Sequence, residues 1–218
     1  MYPTSIMTGA YVFTDIAALR SALVARDPSD FVSHFIFEPV PFLFNADFSS
    51  WLNWKRTLGD GIEIDPRDIV LTGSASIGYS LNPNKALRPF TNSSDIDCGV
   101  ISSYHFDVAW RHLRRLRPSW LSLPSSSRRA IERHRTNYIF SGTIATESIL
   151  GILPFGTTWQ RALDKMSGVP PTQGREVRLR IYKDYESLRA YQAHNIKKLR
   201  DDLLATPSSD DHPITIEG

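Results

Sequence analysis

Apolar residues recur at helical spacing along the first sixty positions of the chain. In the segment 14–25 they fall three or four positions apart, which predicts a helix that Thr14 caps. The same spacing predicts two further helices, over 29–38 and 49–58. Gly59 follows the last of these, and a glycine at that place is typical of a helix C-terminal cap.

After position 60 the pattern changes to short runs of β-favouring residues. Segments 68–72 and 95–102 are rich in β-branched and other apolar residues, and 176–182 alternates apolar with charged positions. The sequence therefore predicts three strands, of which the last is half-buried. Helical spacing returns around them, and it predicts helices over 104–116, 127–140, 158–166 and 184–204.

The composition is that of a globular chain. Of its 218 residues, 41% are hydrophobic and 22% are charged, which excludes a disordered or fibrous protein. We expect a single domain over 1–204, in which residues 1–60 form a helical N-terminal part packed on the core, followed by a flexible polar tail over 205–218. The one cysteine, Cys98, excludes an intrachain disulfide and a multi-cysteine zinc site.

Two absences bear on location. No apolar run reaches the roughly 18 residues that a membrane span needs. The segment 1–14 also lacks the basic start and apolar stretch of a signal peptide. We therefore expect a cytoplasmic protein with no membrane partner.

Positive charge is concentrated in one segment of the chain. The net charge is only +2, but the segment 104–135 alone carries +6, so the remainder carries −4. Such asymmetry either marks a surface for a polyanion such as RNA or reflects a solvated helix face. The arginines responsible run from Arg111 to Arg135: Arg111, Arg114, Arg115, Arg117, Arg128, Arg129, Arg133 and Arg135.

Two short motifs carry candidate chemistry. Gly73 and Ser74 directly follow the first predicted strand, and Gly78 comes four residues after Ser74. A glycine turn lets backbone N–H groups approach a phosphate closely, and the serine hydroxyl can donate to a phosphate oxygen.

The second motif is Ser94-Asp95-Ile96-Asp97, at the start of the next predicted strand. Alternate residues of a strand point to one side, so Asp95 and Asp97 project together while Ile96 faces the core. Two carboxylates this close repel unless a cation lies between them, and Mg²⁺ is commonly held by carboxylates together with substrate phosphates. The pattern indicates phosphoryl or nucleotidyl transfer.

Together the two motifs resemble the signature of the nucleotidyltransferase superfamily that includes DNA polymerase beta. The resemblance is close over 68–102 and loose elsewhere. It implies an α+β fold, a small mixed β-sheet flanked by helices, here with added N-terminal and C-terminal helices. It also implies a bound nucleoside triphosphate with Mg²⁺ (or Mn²⁺), and transfer of a nucleoside monophosphate with release of pyrophosphate. The chain also looks similar to bacterial members that act as toxins, antitoxins or phage-defence enzymes.

The resemblance implies roles for individual residues. Asp95 and Asp97 would be catalytic metal ligands, while Gly73, Ser74 and Gly78 would contact the nucleotide. A family member usually has a third carboxylate on a later strand. Here that strand is 176–182. Either Glu176 is the third catalytic acid, or the strand presents Arg178 and Arg180 to the phosphates.

The chain also departs from compact family members by an insertion, 81–91, between the two motifs. This segment carries Asn82, Lys85 and Arg88, and we expect it to act as a substrate-contacting flap.

The leading hypothesis is thus an enzyme that transfers a nucleoside monophosphate to a hydroxyl of RNA, protein or a nucleotide. The basic segment between Arg111 and Arg135 favours RNA, and a partner protein is the other candidate. Two alternatives stay open. One is a catalytically weak or inactive nucleotide- or RNA-binding module that regulates a partner. The other is an antitoxin-like enzyme that modifies a partner toxin.

Overall fold

A computed structural model describes residues 13–205 and contains one four-stranded mixed sheet. The strands are β1 (Ile69–Thr72), β2 (Ile96–Ile101), β3 (Thr143–Ala145) and β4 (Val177–Tyr182). They lie in the order β1-β2-β4-β3, with β2 antiparallel to β1 and parallel to β4, and β3 antiparallel to β4. The protein is therefore of mixed α+β class, as expected.

Eight α-helices surround the sheet within the described residues. They are α1 (Ile16–Ala25), α2 (Pro28–Val32), α3 (Phe48–Ile62), α4 (Gly73–Ile77), α5 (Ser103–Arg115), α6 (Ser125–Asn137), α7 (Gly156–Met166) and α8 (Tyr185–Ala205). None of the described helices has both the length and the apolar character needed to cross a membrane.

Alternation along the strands divides the core into two layers. Ile69, Leu71 and Cys98 face a layer that also contains the buried residues of α3, α5 and α7. Val70 and Ile101 face the opposite layer, which is filled from α1, α2 and α8. The sheet is therefore covered by helices on both faces.

The predicted N-terminal helices form, with different ends. Asp15 rather than Thr14 caps α1, because its Oδ1 accepts a hydrogen bond of 2.8 Å from the Ala18 N–H. The predicted helix over 29–38 is α2 followed by a π-helical turn, Ser33–Phe37. Helix α3 runs four residues beyond the predicted end.

Gly59 was expected to cap α3 but lies inside it. The helix ends instead at Glu63, which adopts a left-handed conformation with φ 57°. A methyl group on Gly59 would lie 2.6 Å from the carbonyl oxygen of Ile64. The glycine therefore allows the chain to fold back tightly against the helix that it has just left.

The later helices and the three expected strands lie within about two or three residues of their predicted bounds, as is usual for helix ends. Strand β3 was not predicted. The expected flexible tail over 205–218 lies outside the described residues, apart from its first residue.

Candidate functional site

A polar pocket of about 370 Å³ opens at the edge of the sheet where β1 ends and where β2 and β4 begin. The segment 80–95 and helix α8 supply its other walls. Six of the eight residues predicted for the site line this pocket: Gly73, Ser74, Asp95, Asp97, Arg178 and Arg180. The parallel pairing of β2 with β4 brings them together, because it places Arg178 directly beside Asp97.

The glycine turn and the acidic strand are in close contact. Gly73 begins α4 with φ +63°, a left-handed conformation that favours glycine. A methyl group at Gly73 would lie 2.8 Å from Oδ2 of Asp97. Thr72, the residue before it, pairs with Asp97 across the two strands, and its hydroxyl donates to the Asp97 carbonyl oxygen at 3.3 Å. The two sequence motifs thus form one site.

The Asp97 carboxylate reaches the open pocket, yet protein surrounds it on its other sides. This desolvation raises the pKa of Asp97 above its ordinary value, and the positive charges of Arg180 and Arg178 offset the rise only in part. The nearby carboxylates of Glu147 and Asp95 raise it further. The site therefore favours an additional positive charge near Asp97.

Arg178 forms ion pairs with two acidic side chains. Its Nη1 lies 2.7 Å from Oδ2 of Asp95, and its Nη2 lies 2.6 Å from Oε2 of Glu176. The hydrogen bond from Arg178 lowers the pKa of Glu176. The guanidinium therefore neutralises one member of the acidic pair.

Two predicted residues lie outside the pocket. The Glu176 side chain is 62% exposed and reaches Arg178 from the solvent side. Gly78 ends α4 in a left-handed conformation, φ +87°, and a methyl group there would lie 3.0 Å from the Phe42 ring. Its position suits a helix cap packed under an aromatic ring rather than a nucleotide contact.

Sequence reasoning missed the third carboxylate of the pocket, Glu147. It lies two residues after the end of β3, lines the pocket, and forms an ion pair of 3.2 Å with Arg180. Arg180 also lies 4.9 Å from the centroid of the Tyr191 ring and 5.6 Å from that of Tyr138. The sequence offers little to reveal Glu147, because β3 has only three residues and Glu147 belongs to no recognisable motif.

The inserted segment, expected to act as a substrate-contacting flap, forms one wall of the pocket and is anchored along its length. Leu81 and Leu87 are buried, and the segment is anchored by backbone hydrogen bonds between Ser80 and Arg88 and between Gly78 and Phe90. Arg175 holds its end, since Nη1 donates to the carbonyl oxygens of Thr91, Asn92 and Ser94 at 2.7–3.1 Å.

Two cations of this wall face the pocket. Lys85 and Arg88 line it, and within the described part of the chain neither takes part in an ion pair. Four basic side chains in the pocket, including Arg178 and Arg180, thus face three acidic ones. This balance suits a ligand that carries several negative charges.

The donor set fits a single Mg²⁺ ion only with help from a ligand. Residues 13–205 contain no cluster of three or more His, Cys, Asp or Glu side chains that could hold a metal. Asp95 and Asp97 offer carboxylate oxygens, whereas Glu147 is paired with Arg180. Mg²⁺ is commonly held by one or two carboxylates plus substrate phosphates. Comparisons of the chain with protein-family models, with curated proteins and with solved structures find no match.

Proposed function

We propose that the protein is a metal-dependent nucleotidyltransferase with a fold of the nucleotidyltransferase type. The observation that carries the proposal is the contact between Gly73 and Asp97, where a methyl group would meet a carboxylate oxygen at 2.8 Å. It joins a phosphate-accommodating turn and an acidic pair in one polar pocket. The left-handed glycine, with φ +63°, leaves space beside the backbone that the Asp97 carboxylate occupies.

The residues divide the work of binding. Ser74 would donate its hydroxyl to the triphosphate beside the open backbone at Gly73. Lys85 and Arg88 would bind terminal phosphate oxygens from the opposite wall, as charge-assisted hydrogen bonds to phosphate favour. Asp95 and Asp97 would hold Mg²⁺, which supplies charge stabilisation to the phosphates when it is bound.

The reaction follows from that placement. A hydroxyl oxygen of the acceptor attacks the α-phosphorus and forms a new O–P bond, while the bond between the α- and β-phosphates breaks and pyrophosphate leaves. The hydroxyl proton passes to a base or to solvent. Arg178 and Arg180, at the base of the pocket, would stabilise the negative charge that develops on the transferred and leaving phosphates.

Labelled triphosphates test the proposal. The protein is incubated with each of the four in turn, Mg²⁺, and total RNA or cell protein, and pyrophosphate release is followed. The double variant Asp95→Ala/Asp97→Ala is compared with Asp60→Ala/Asp201→Ala, whose exposed acids do not line the pocket.

We expect wild type and the control variant to transfer label, and the Asp95/Asp97 variant to fall to background. Absence of labelling by wild type, or equal labelling by all three proteins, contradicts catalysis by this site.

One observation favours a second candidate function, a nucleotide-binding module without transferase activity. The position on β4 that pairs with Asp97 is Arg178, and this arginine occupies Asp95. A guanidinium held there would compete with a metal for the carboxylate. Calorimetry separates the two functions, because a module binds triphosphate tightly while no pyrophosphate appears.

A further inference from the structure

A second cavity lies outside the candidate site and is lined mainly by residues of the basic segment. It has a volume of about 640 Å³ and runs between α5 and α6, closed at one side by the turn Arg117–Ser122. We call it the tryptophan groove after Trp110 and Trp120, which line it together with Arg114, His134, Arg135 and Ile139. Both tryptophans are half-buried, so a ligand in the groove can reach them.

The groove combines flat aromatic surface with positive charge. The guanidinium of Arg114 lies 4.5 Å from the centroid of the Trp110 ring. Arg135 forms an ion pair with Glu132, but its side chain stays 74% exposed. All the residues that line the groove except Ile139 belong to the segment 104–135, whose net charge is +6. Guanidinium groups form bidentate hydrogen bonds to phosphate, and aromatic rings stack on bases.

Two exposed apolar side chains are neighbours in the chain of residues that line the groove. Phe140 follows Ile139 of the groove and is fully exposed, and Leu121 beside Trp120 is 85% exposed. Within residues 13–205 Arg114 takes part in no ion pair and Arg135 pairs with Glu132, so an occupant of the groove has to supply negative charge to Arg114 as well as cover the apolar side chains. A single-stranded polynucleotide supplies both, since it offers base faces to the rings and phosphates to the cations.

The groove and the site share a wall. His134 lines the groove, and its ring lies 5.2 Å from the ring of Tyr138, centroid to centroid. Tyr138 lines the site, where its ring is 5.6 Å from the Arg180 guanidinium. About two side chains therefore separate a base held in the groove from the cations of the pocket.

We infer that the tryptophan groove binds the single-stranded nucleic acid whose hydroxyl accepts the nucleotide, with its bases on Trp110, Trp120 and Phe140 and its phosphates on Arg114 and Arg135. The acceptor role rests on the proposed function, whereas the binding itself does not. The occupant is a polynucleotide strand, either RNA or DNA.

Fluorescence anisotropy tests the binding without any triphosphate present. The probes are a fluorescein-labelled twelve-nucleotide RNA, the DNA of the same sequence, and the RNA annealed to its complement. Arg114→Gln/Arg135→Gln is compared with Arg20→Gln/Arg161→Gln, which removes the same charge from exposed positions that line neither cavity. Phe140→Ala is compared with Phe48→Ala, an exposed aromatic of α3.

We expect wild type to bind at least one single strand more tightly than the duplex. Phe140→Ala should weaken that binding roughly tenfold, which is within the range for loss of one stacked base. The paired arginine change should weaken it at least as much and should flatten its salt dependence by about one unit of log–log slope per lost phosphate contact. Each control should stay within about twofold of wild type, because neither touches the groove.

The inference is overturned if wild type binds no single strand, or if the control variants lose as much affinity as the groove variants. Because Phe140 is fully exposed, its truncation tests the surface with little effect on folding.

The two proposals fail separately. The Asp95→Ala/Asp97→Ala protein should bind the oligonucleotide like wild type. Binding without transfer by wild type would refute the transferase and leave the groove as a binding surface. Transfer to RNA that the groove variants do not impair would refute the groove as the acceptor site.

Discussion

Replacing Gly73 by alanine has two separate effects: it strains the backbone of the turn, and it displaces the neighbouring Asp97 carboxylate. At φ +63° an alanine has to adopt the left-handed region, which costs about 1–2 kcal/mol. Its methyl group would also lie 2.8 Å from Asp97 Oδ2, closer than real Cβ contacts, so that carboxylate has to move. The two effects act on different measurements, stability and ligand binding.

Gly174 provides the matched control. Its φ is +74°, and no atom lies within 4 Å of the place that a methyl group would take. Gly174→Ala therefore carries the backbone cost alone. A loss of about 1–2 kcal/mol lowers the melting temperature by about 2–8 °C in a chain of this length, and we expect both variants to fall in that range.

Only Gly73→Ala should impair nucleotide binding. Disturbing the position of a metal-ligating side chain typically costs about 10–100-fold in metal affinity, so we expect calorimetric titration with triphosphate and Mg²⁺ to show affinity reduced at least about tenfold. Gly174→Ala should bind as wild type does. The reasoning is refuted if the two variants melt alike and also bind alike, because the contact between Gly73 and Asp97 would then have no bearing on the ligand.

Three further changes test the same pocket. In EDTA, Asp97→Asn should melt above wild type at pH 7, because desolvation raises the pKa of Asp97 in the folded protein. The raised pKa makes the free energy of unfolding fall as pH rises from the ordinary value of 3.8 through the raised value, so the advantage should vanish at about pH 3. Melting curves at the two pH values check this, and an advantage that grows toward acid would contradict it. Arg178→Gln removes the ion-pair partner of Asp95, so calorimetry without nucleotide should show tighter Mn²⁺ binding. The same variant should bind triphosphate roughly tenfold more weakly, because a cationic partner of the phosphates is lost. Unchanged affinity for both ligands would count against the arginine's role. Glu147→Gln should lower the rate of nucleotide transfer about tenfold or more, because Glu147 holds Arg180 in the pocket. Glu176 lies outside the pocket, so the transfer rate of Glu176→Gln should stay within about twofold of wild type. The reverse ranking in a transfer assay would point to Glu176 as the working acid.

Local pattern was enough to predict the strands that hold the acidic pair. The expectation that Asp95 and Asp97 face one side came from strand geometry alone; Asp97 is the second residue of β2, Asp95 directly precedes that strand, and both line the pocket. The β-favouring run before Gly73 likewise indicated a turn at its end. What the sequence could not give is the distance between the two motifs, because strand pairing brings Thr72 opposite Asp97 across an insertion.

The residues that sequence reasoning placed wrongly or missed depend on tertiary contacts. Gly59 has the residue type of a cap, but packing against Ile64 keeps it inside the helix. Glu147 enters the pocket because a three-residue strand pairs with β4, and so short a strand has no detectable period. The sequence of the insertion also gives no sign of what anchors it, because Arg175, which donates to its end, lies more than eighty residues away.

In the proposed transferase, charge placement on β4 would link the binding of metal to the binding of nucleotide. Arg178 pairs with Asp97 in the parallel register and already contacts Asp95. Without ligands, this arginine offsets the repulsion between the carboxylates, so a metal has to compete with it for Asp95. A triphosphate offers Arg178 new oxygen partners, and its departure from Asp95 would open that carboxylate. Nucleotide and metal should therefore each strengthen the binding of the other, and by reciprocity the two strengthening factors are equal.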